Sequence, residues 1–134
     1  MNLETINSQL SAKSPEAIVA WALSVAKRPV ITTNFRPYEA AILHLVAQLK
    51  NDIDVIWCDT GYNTAATYKH ARELTETLEL NIDLFIPKQT AAYRDSLFGI
   101  PEIDDPRHAE FTEQVKLEPF QSCLLYTSPS PRDA

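Results

Sequence analysis

The stretch that decides the fold reads Val55-Ile56-Trp57-Cys58 and continues as Asp59-Thr60-Gly61-Tyr62. Its first half is apolar without interruption, which is typical of a β-strand covered on both faces. The polar residues that follow end the strand, and Gly61 permits a tight backbone course. The sequence thus predicts a buried central strand that leads into a polar loop at its carboxyl end.

Helices and strands alternate on both sides of this stretch. Residues 29–33 and 81–86 are short apolar or β-branched runs and predict two further strands. Helices are predicted over residues 15–28, 38–50, 64–79, 90–98 and 107–115. The helix over 38–50 is apolar on nearly every face, so we expect it to be heavily buried. The alternation predicts an α/β fold with a parallel sheet sandwiched by helices, of which this chain holds about three strands.

Composition and charge exclude several classes of protein. The 134 residues include 18 acidic and 12 basic side chains, a net charge of −6 that argues against a nonspecific nucleic-acid binder. No apolar run approaches the roughly 20 residues that cross a bilayer. The start of the chain lacks a secretory signal, and its two cysteines form no CxxC motif, so we expect a cytoplasmic protein. With only two glycines, a Gly-rich phosphate loop is excluded.

Ligands of parallel sheets bind beyond the carboxyl ends of the strands, which directs attention to two loops. The first loop, residues 33–38, together with Thr32 just before it, offers the hydroxyls of Thr32 and Thr33, the amide of Asn34, backbone N–H groups at a helix start and the guanidinium of Arg36. These groups suit a phosphate or a sulfate. The alternative is an ordinary Asn-initiated turn with a surface arginine.

The second loop, residues 59–62, follows the central strand. Asp59 is a hydrogen-bond acceptor, Gly61 permits close backbone approach, and Tyr62 can stack on a ring. The alternative is a helix-capping aspartate beside a core tyrosine. Lys88 and Arg94 follow the third strand; we expect them to be solvated charges, although they could also add positive potential at the mouth of a site.

Both loops, in this order and at this spacing, resemble the phosphoadenylyl-sulfate (PAPS) reductase family, a branch of the adenine nucleotide alpha hydrolase-like α/β fold. The resemblance covers about residues 14–120 and is carried by Thr33-Asn34-Phe35, Leu43-His44-Leu45-Val46, Asp59-Thr60-Gly61-Tyr62 with Thr67-Tyr68, and Lys116-Leu117-Glu118-Pro119. The last motif is close to the family's Lys-Val-Glu-Pro. The Asp-Thr-Gly-Tyr and Lys-x-Glu-Pro motifs are the specific ones.

The resemblance implies a substrate site and a reaction. The substrate-binding residues would be Thr32, Thr33, Asn34, Phe35, Arg36, Asp59, Thr60, Gly61 and Tyr62. The implied reaction is the reduction of PAPS to sulfite and adenosine 3′,5′-bisphosphate in sulfate assimilation. The family's nucleophilic cysteine belongs to a C-terminal Glu-Cys-Gly-Leu-His that this chain lacks, so we expect no catalytic residue here and no turnover by this chain.

The resemblance also bears on cofactors and partners. The related APS reductases hold an iron–sulfur cluster partly through a Cys-Cys pair a few residues before Lys-Val-Glu-Pro. Residues 111–115 contain no cysteine, which implies that no cluster is bound and that thioredoxin or glutaredoxin is the reductant. No spacing among the three histidines predicts a metal site. The sequence leaves open whether the protein forms a homodimer.

Three departures from the family leave other functions open. Arg36-Pro37 stand where the family has glycine, and Thr64-Ala65-Ala66 replace Phe-Pro-Glu, so that one family carboxylate is lost. The C-terminal catalytic motif is the third departure. The alternative function is therefore a sulfonucleotide- or adenine-nucleotide-binding relative without reductase activity. An ATP-pyrophosphatase-type ligase or sulfurtransferase is a weaker alternative, because residues 33–36 lack its Ser-Gly-Gly loop.

The last twelve residues differ in composition from the rest. Residues 123–134 read Cys-Leu-Leu-Tyr-Thr-Ser-Pro-Ser-Pro-Arg-Asp-Ala, with no helical or strand period. This string resembles the conceptual translation of a transposon-end sequencing adapter; the alternative is a natural Ser/Pro-rich tail. We expect residues 1–122 to be the N-terminal part of a PAPS reductase-like domain, and residues 123–134 to be non-native and without regular structure.

Overall fold

Residues 2–127 of the chain are described by a computed structural model. Three strands form one parallel sheet in the order β1-β2-β3: β1 Val30–Thr33, β2 Asp54–Cys58 and β3 Asn81–Phe85. The central position of β2 places Val55 between Ile31 and Ile82 in the register. Within β2, Val55, Ile56 and Trp57 are all buried. The predicted α/β fold with a parallel sheet is therefore confirmed.

Helices connect the strands and follow the sheet. They are α1 Leu3–Leu10, α2 Pro15–Val25, α3 Glu39–Leu49, α4 Ala65–Leu78, α5 Ala91–Leu97, α6 His108–Thr112, a π-helical turn Glu113–Leu117 and α7 Glu118–Thr127. Side chains cap several helix starts; for example, the Ser14 hydroxyl accepts from the Ala17 N–H at 3.2 Å. The sequence analysis did not predict α1, which buries no residue although Leu3, Ile6 and Leu10 recur at helical spacing.

The core centres on an aromatic pair between loop one and the sheet. Phe35 is 2% exposed, and its ring meets Trp57 edge to face, with ring centroids 4.8 Å apart. The Trp57 ring also contacts Tyr68 of α4 at 5.9 Å. Phe35 has a φ of +55°, in the left-handed region that costs a non-glycine residue about 1–2 kcal/mol. Burial of its ring offsets this cost, because a buried phenylalanine contributes about 1.5–3 kcal/mol.

Helix α3 is less buried than its sequence predicts. Leu43 and Val46 are buried against the sheet, but Ile42 is 46% exposed and Leu49 is 44% exposed. The helix packs one side on the core and is contacted by α2 and α4, so its outer apolar residues have no cover among the described residues. Val30, on the edge strand β1, is also 38% exposed. The expectation of burial on nearly every face was wrong.

The C-terminal segment continues further as a helix than predicted. Helix α7 extends to Thr127, it contacts β2 and β3, and Cys123 on it is fully buried. The expectation that regular structure stops after residue 122 was therefore wrong for residues 123–127, because this face of the sheet offers an apolar surface for the helix. Residues 128–134, the rest of the expected non-native segment, lie outside the described residues.

No helix in the described part of the chain is both long and apolar enough to span a membrane.

The aromatic pair yields a stability prediction. Phe35→Ala should lower the free energy of unfolding by about 3–5 kcal/mol, because it leaves a cavity beside Trp57 and keeps the left-handed backbone. Tyr38→Ala is the matched control: this ring lies in the same loop but is 94% exposed, so the change should be within about 0.5 kcal/mol. Urea denaturation measures both. Equal effects of the two substitutions would contradict the central role of Phe35.

Candidate functional site

A cavity of about 230 Å³ opens at the carboxyl ends of β1 and β2, where a parallel sheet is expected to bind ligands. One wall is the end of β1 with loop one, and the other is the π-helical turn with α7. The lining residues are Thr32, Thr33, Asn34, Glu39, Ile56, Cys58, Lys116, Leu117 and Phe120. The cavity thus combines hydroxyl groups, one carboxylate and one ammonium group with an apolar floor.

The carboxylate of Glu39 binds the donors of loop one. Its Oε1 accepts from the Asn34 N–H at 3.0 Å and from the Thr33 hydroxyl at 3.2 Å, while its Oε2 accepts from the Arg36 N–H at 3.0 Å. These are the groups that the sequence predicted to be available to a phosphate or a sulfate. The N–H donors before α3, which would otherwise be open to an anion, are therefore partly occupied by the chain's own carboxylate.

Loop one divides between the cavity and the core. Thr32, Thr33 and Asn34, three of the predicted site residues, line the cavity. The Phe35 ring lies in the core, so it offers no surface to a ligand, and this part of the prediction needs correction. Its N–H donates to the Thr33 hydroxyl at 2.9 Å. Arg36 is exposed, and its side chain does not line the cavity.

Loop two is held by its own hydrogen bonds. The Asp59 Oδ1 atom accepts from the Gly61 N–H at 2.9 Å, from the Asn63 amide at 2.9 Å and from the Tyr68 hydroxyl at 2.8 Å. Burial, and then the bond to Asp59, raises the pKa of Tyr68. Gly61 has a φ of +84°, a backbone conformation that favours glycine. Asp59 therefore orders the loop.

Tyr62 connects loop two to the helices beyond β3. Its hydroxyl donates to Asp95 Oδ1 at 2.8 Å, and its ring meets Phe111 edge to face at 5.1 Å. Burial first, and then the bond to Asp95, raises the pKa of Tyr62 to about 12. The hydroxyl of Thr60 accepts from the Tyr62 N–H at 3.2 Å. The predicted site residues 59–62 thus brace the end of β2 and are not among the residues that line the cavity.

Lys116 is exposed and lines the same cavity as loop one, a role that the sequence did not assign to it. It belongs to the π-helical turn between α6 and α7, and Pro119 follows three residues later. A proline has no N–H to donate to the carbonyl four residues earlier, here that of Val115, so the regular α-helical ladder is interrupted at this point. The only sequence signal for Lys116 was its place in the Lys-x-Glu-Pro motif.

Cys58 lines the cavity but is a poor nucleophile. Burial, and then the neighbouring Cys123 thiol, raises the pKa of Cys58 to about 11. A thiol with such a pKa is almost wholly protonated near pH 7, and the thiolate is the nucleophilic form. We therefore expect Cys58 to be inert as a nucleophile near neutral pH.

Comparison with known proteins defines the family. The model of the phosphoadenosine phosphosulfate reductase domain matches residues 28–127. The chain belongs to this family. Two relatives, both named phosphoadenosine 5′-phosphosulfate reductase, come from Synechococcus sp. and from Cronobacter sakazakii. The first is 38% identical over 128 residues, which cover 92% of this chain and 54% of the relative. The second is 41% identical over 98 residues, which cover 72% of this chain and 40% of the relative.

A solved structure agrees with the fold of this family member. The crystal structure of PAPS reductase from Candida auris, a phosphate complex, matches with a TM-score of 0.82 and 21% identity. The match covers 92% of this chain and 61% of that chain, and at this identity it shows the fold alone. The chain spans about half the length of the curated relatives it matches.

The capping of loop one by Glu39 yields a prediction. Glu39→Ala removes the acceptor of three hydrogen bonds, two from backbone N–H groups and one from the Thr33 hydroxyl. We expect a loss of about 2–3 kcal/mol in the free energy of unfolding, since bonds to charged groups are the strong ones. Glu16→Ala is the control: Glu16 also lies in a first helical turn, but it should lose less than about 1 kcal/mol. Urea denaturation measures both, and similar losses would refute the role of Glu39.

Proposed function

We propose that this chain carries the sulfonucleotide-binding part of a phosphoadenylyl-sulfate reductase. The observation that carries the proposal is the position of Lys116, which lines the same cavity as Thr32, Thr33 and Asn34 of loop one. An ammonium group together with neutral donors suits a substrate whose anionic groups lie in a row, as in PAPS. The proposed reaction is the reduction of PAPS to sulfite and adenosine 3′,5′-bisphosphate, in sulfate assimilation.

The lining of the cavity supports this assignment. Its charged and polar groups lie toward loop one and Lys116, whereas Ile56, Leu117 and Phe120 supply apolar surface. We place the phosphosulfate group near Lys116 and the adenine against the apolar residues. The carboxylate of Glu39 repels an anionic ligand, so bound substrate has to share or take over the donors that Glu39 now occupies. Glu39 would therefore weaken binding.

The proposed chemistry needs a nucleophile that this chain does not supply. A cysteine thiolate attacks the sulfur of PAPS, the sulfur–oxygen bond to the phosphate breaks, and adenosine 3′,5′-bisphosphate leaves with that electron pair. The enzyme is left with an S-sulfonate. One thiol of a dithiol protein, thioredoxin or glutaredoxin, attacks the enzyme sulfur and displaces sulfite, which leaves a mixed disulfide. The second thiol then attacks that disulfide, so that the enzyme thiolate is freed and the dithiol protein ends as a disulfide. Burial raises the pKa of Cys58 and also that of Cys123, and neither belongs to a Glu-Cys-Gly-Leu-His motif, so we propose that the nucleophile is a cysteine of the whole protein outside these 134 residues.

Partners and cofactors complete the proposal. Residues 111–115 contain no thiol before Lys116, which supports an enzyme without an iron–sulfur cluster. The proposed partners are PAPS and thioredoxin or glutaredoxin, and a homodimer is compatible with them. The proposed compartment is the cytoplasm. We also propose that residues 123–134 are not native, which the uninterrupted genomic reading frame would decide.

The second candidate function is binding of a sulfonucleotide or adenine nucleotide without reduction. It is favoured by Arg36, where the family has glycine, and by the carboxylate of Glu39 among the loop donors. The two candidates differ in the whole protein. A whole protein without a C-terminal Glu-Cys-Gly-Leu-His would favour the binding function and exclude the reductase.

Opposite charge changes test the proposed site. Lys116→Gln should weaken the binding of adenosine 3′,5′-bisphosphate about tenfold, whereas Glu39→Gln should tighten it severalfold. Arg72→Gln, at an exposed arginine on α4, is the control and should leave the affinity unchanged. Calorimetric titration measures all three, with uncharged adenosine as the reference ligand that should respond to neither charge. If Lys116→Gln and Arg72→Gln behave alike, the site is wrongly placed.

Turnover tests the missing nucleophile. The 134-residue chain should release no sulfite from PAPS in the presence of reduced thioredoxin. The whole protein, read through the natural downstream codons, should release sulfite, and a Cys→Ser change in its C-terminal motif should abolish the activity. Sulfite release by the 134-residue chain itself would overturn the assignment of the nucleophile.

A further inference from the structure

Arg94 is buried, although the sequence predicts a solvated charge. Arg94 lies on α5 just beyond β3 and is only 5% exposed. The nearby Lys88 is exposed, as expected. A buried cation is destabilising unless a counter-charge or a full set of hydrogen bonds compensates it. The surroundings of Arg94 therefore call for a full account of its partners.

The partners of Arg94 leave its charge unbalanced. The guanidinium lies over two rings, 5.1 Å from the centroid of Phe111 and 5.6 Å from that of Phe98. One terminal nitrogen donates to the amide oxygen of Gln114. Its Nε atom is buried without a hydrogen-bond partner, and no ion pair within residues 2–127 includes Arg94. Two aromatic faces and one neutral amide hold the guanidinium, and none of them carries a negative charge.

Beside Arg94 lies a second cavity, of about 270 Å³. Its polar lining comes from Lys88, Gln89, Arg94, Gln114 and Glu118. Two cations face a single carboxylate there, and the two amides can donate hydrogen bonds. This volume is several times the roughly 30 Å³ that a water molecule occupies, so it has room for a small ion with some of its hydration.

We infer that this second cavity binds a tetrahedral oxyanion, phosphate or sulfate. A guanidinium binds such an anion through parallel hydrogen bonds, and the buried Arg94 lines this cavity without a carboxylate in an ion pair with it among residues 2–127. Lys88 at the exposed side adds a second positive charge. The anion supplies the negative charge that the rings and Gln114 do not.

The second cavity is separate from the candidate substrate cavity, since different residues of the same helical segment line the two. Gln114 and Glu118 line the oxyanion cavity, whereas Lys116 and Leu117 line the one at loop one. The oxyanion has two sources: a free inorganic anion, or a phosphate group of a nucleotide that spans both cavities. The inference does not rest on the proposed reductase function, because inorganic phosphate alone tests it.

The experiment titrates the 134-residue chain with inorganic phosphate and follows the side-chain Nε–H signal of Arg94 by NMR. A sodium chloride titration of matched ionic strength is the reference. We expect saturable movement of the Arg94 signal with phosphate and none with chloride. Arg94→Gln should weaken phosphate binding at least about tenfold, and Lys88→Gln should weaken it severalfold, while Arg72→Gln should have no effect.

Several results would overturn the inference. It fails if phosphate leaves the Arg94 signal unmoved, or if chloride moves it equally; both readouts use the unsubstituted chain and stay valid even if Arg94→Gln does not fold. Adenosine 3′,5′-bisphosphate then distinguishes the sources. Competition with phosphate for the Arg94 signal supports a phosphate of the nucleotide, and simultaneous binding supports a free anion. A chain that binds phosphate at Arg94 but no nucleotide would refute the proposed function alone.

Discussion

The edge-to-face contact between Phe35 and Trp57 holds the rest of the site in place. Trp57 lies at the end of the central strand, so one ring joins loop one to the sheet. The other side of Trp57 contacts Tyr68, whose hydroxyl binds the carboxylate of Asp59 and thereby orders loop two. Both loops are thus fixed to one buried indole. The strain of a left-handed phenylalanine is tolerable because burial of its ring offsets it.

The two cavities share one helical segment. Residues 113–117 form a π-helical turn ahead of Pro119. Within this turn, Gln114 lines one cavity and Lys116 lines the other. Such turns are rare and frequently occur at functional sites. Each cavity also contains one carboxylate, Glu39 or Glu118, whose negative charge partly cancels the positive charge of the cations there. Binding of an anion in either cavity therefore depends on a local balance of charge, although the whole chain carries a net charge of −6.

The sequence was sufficient to predict the three strands, because a short uninterrupted apolar run such as residues 55–58 is typical of a buried strand. It was also sufficient for the starts of α2 and α4, since Ser14 and Thr64 cap them locally, whereas α1 and α7 were not predicted. The site was predicted less well. Glu39 binds loop one through contacts that no periodicity reveals, and Phe35 had the place of a site residue in the family motif but lies in the core. The burial of Arg94 depends on rings 4 and 17 residues away in the chain.

The order of the strands has a consequence for how the chain is made. Each strand pairs with the one synthesised just before it, and a helix separates every pair. Once β1 has been synthesised, each later strand of residues 30–85 finds its partner already present. The sheet can therefore assemble from β1 to β3 as the ribosome releases it, with Trp57 available to receive Phe35 as soon as β2 has emerged.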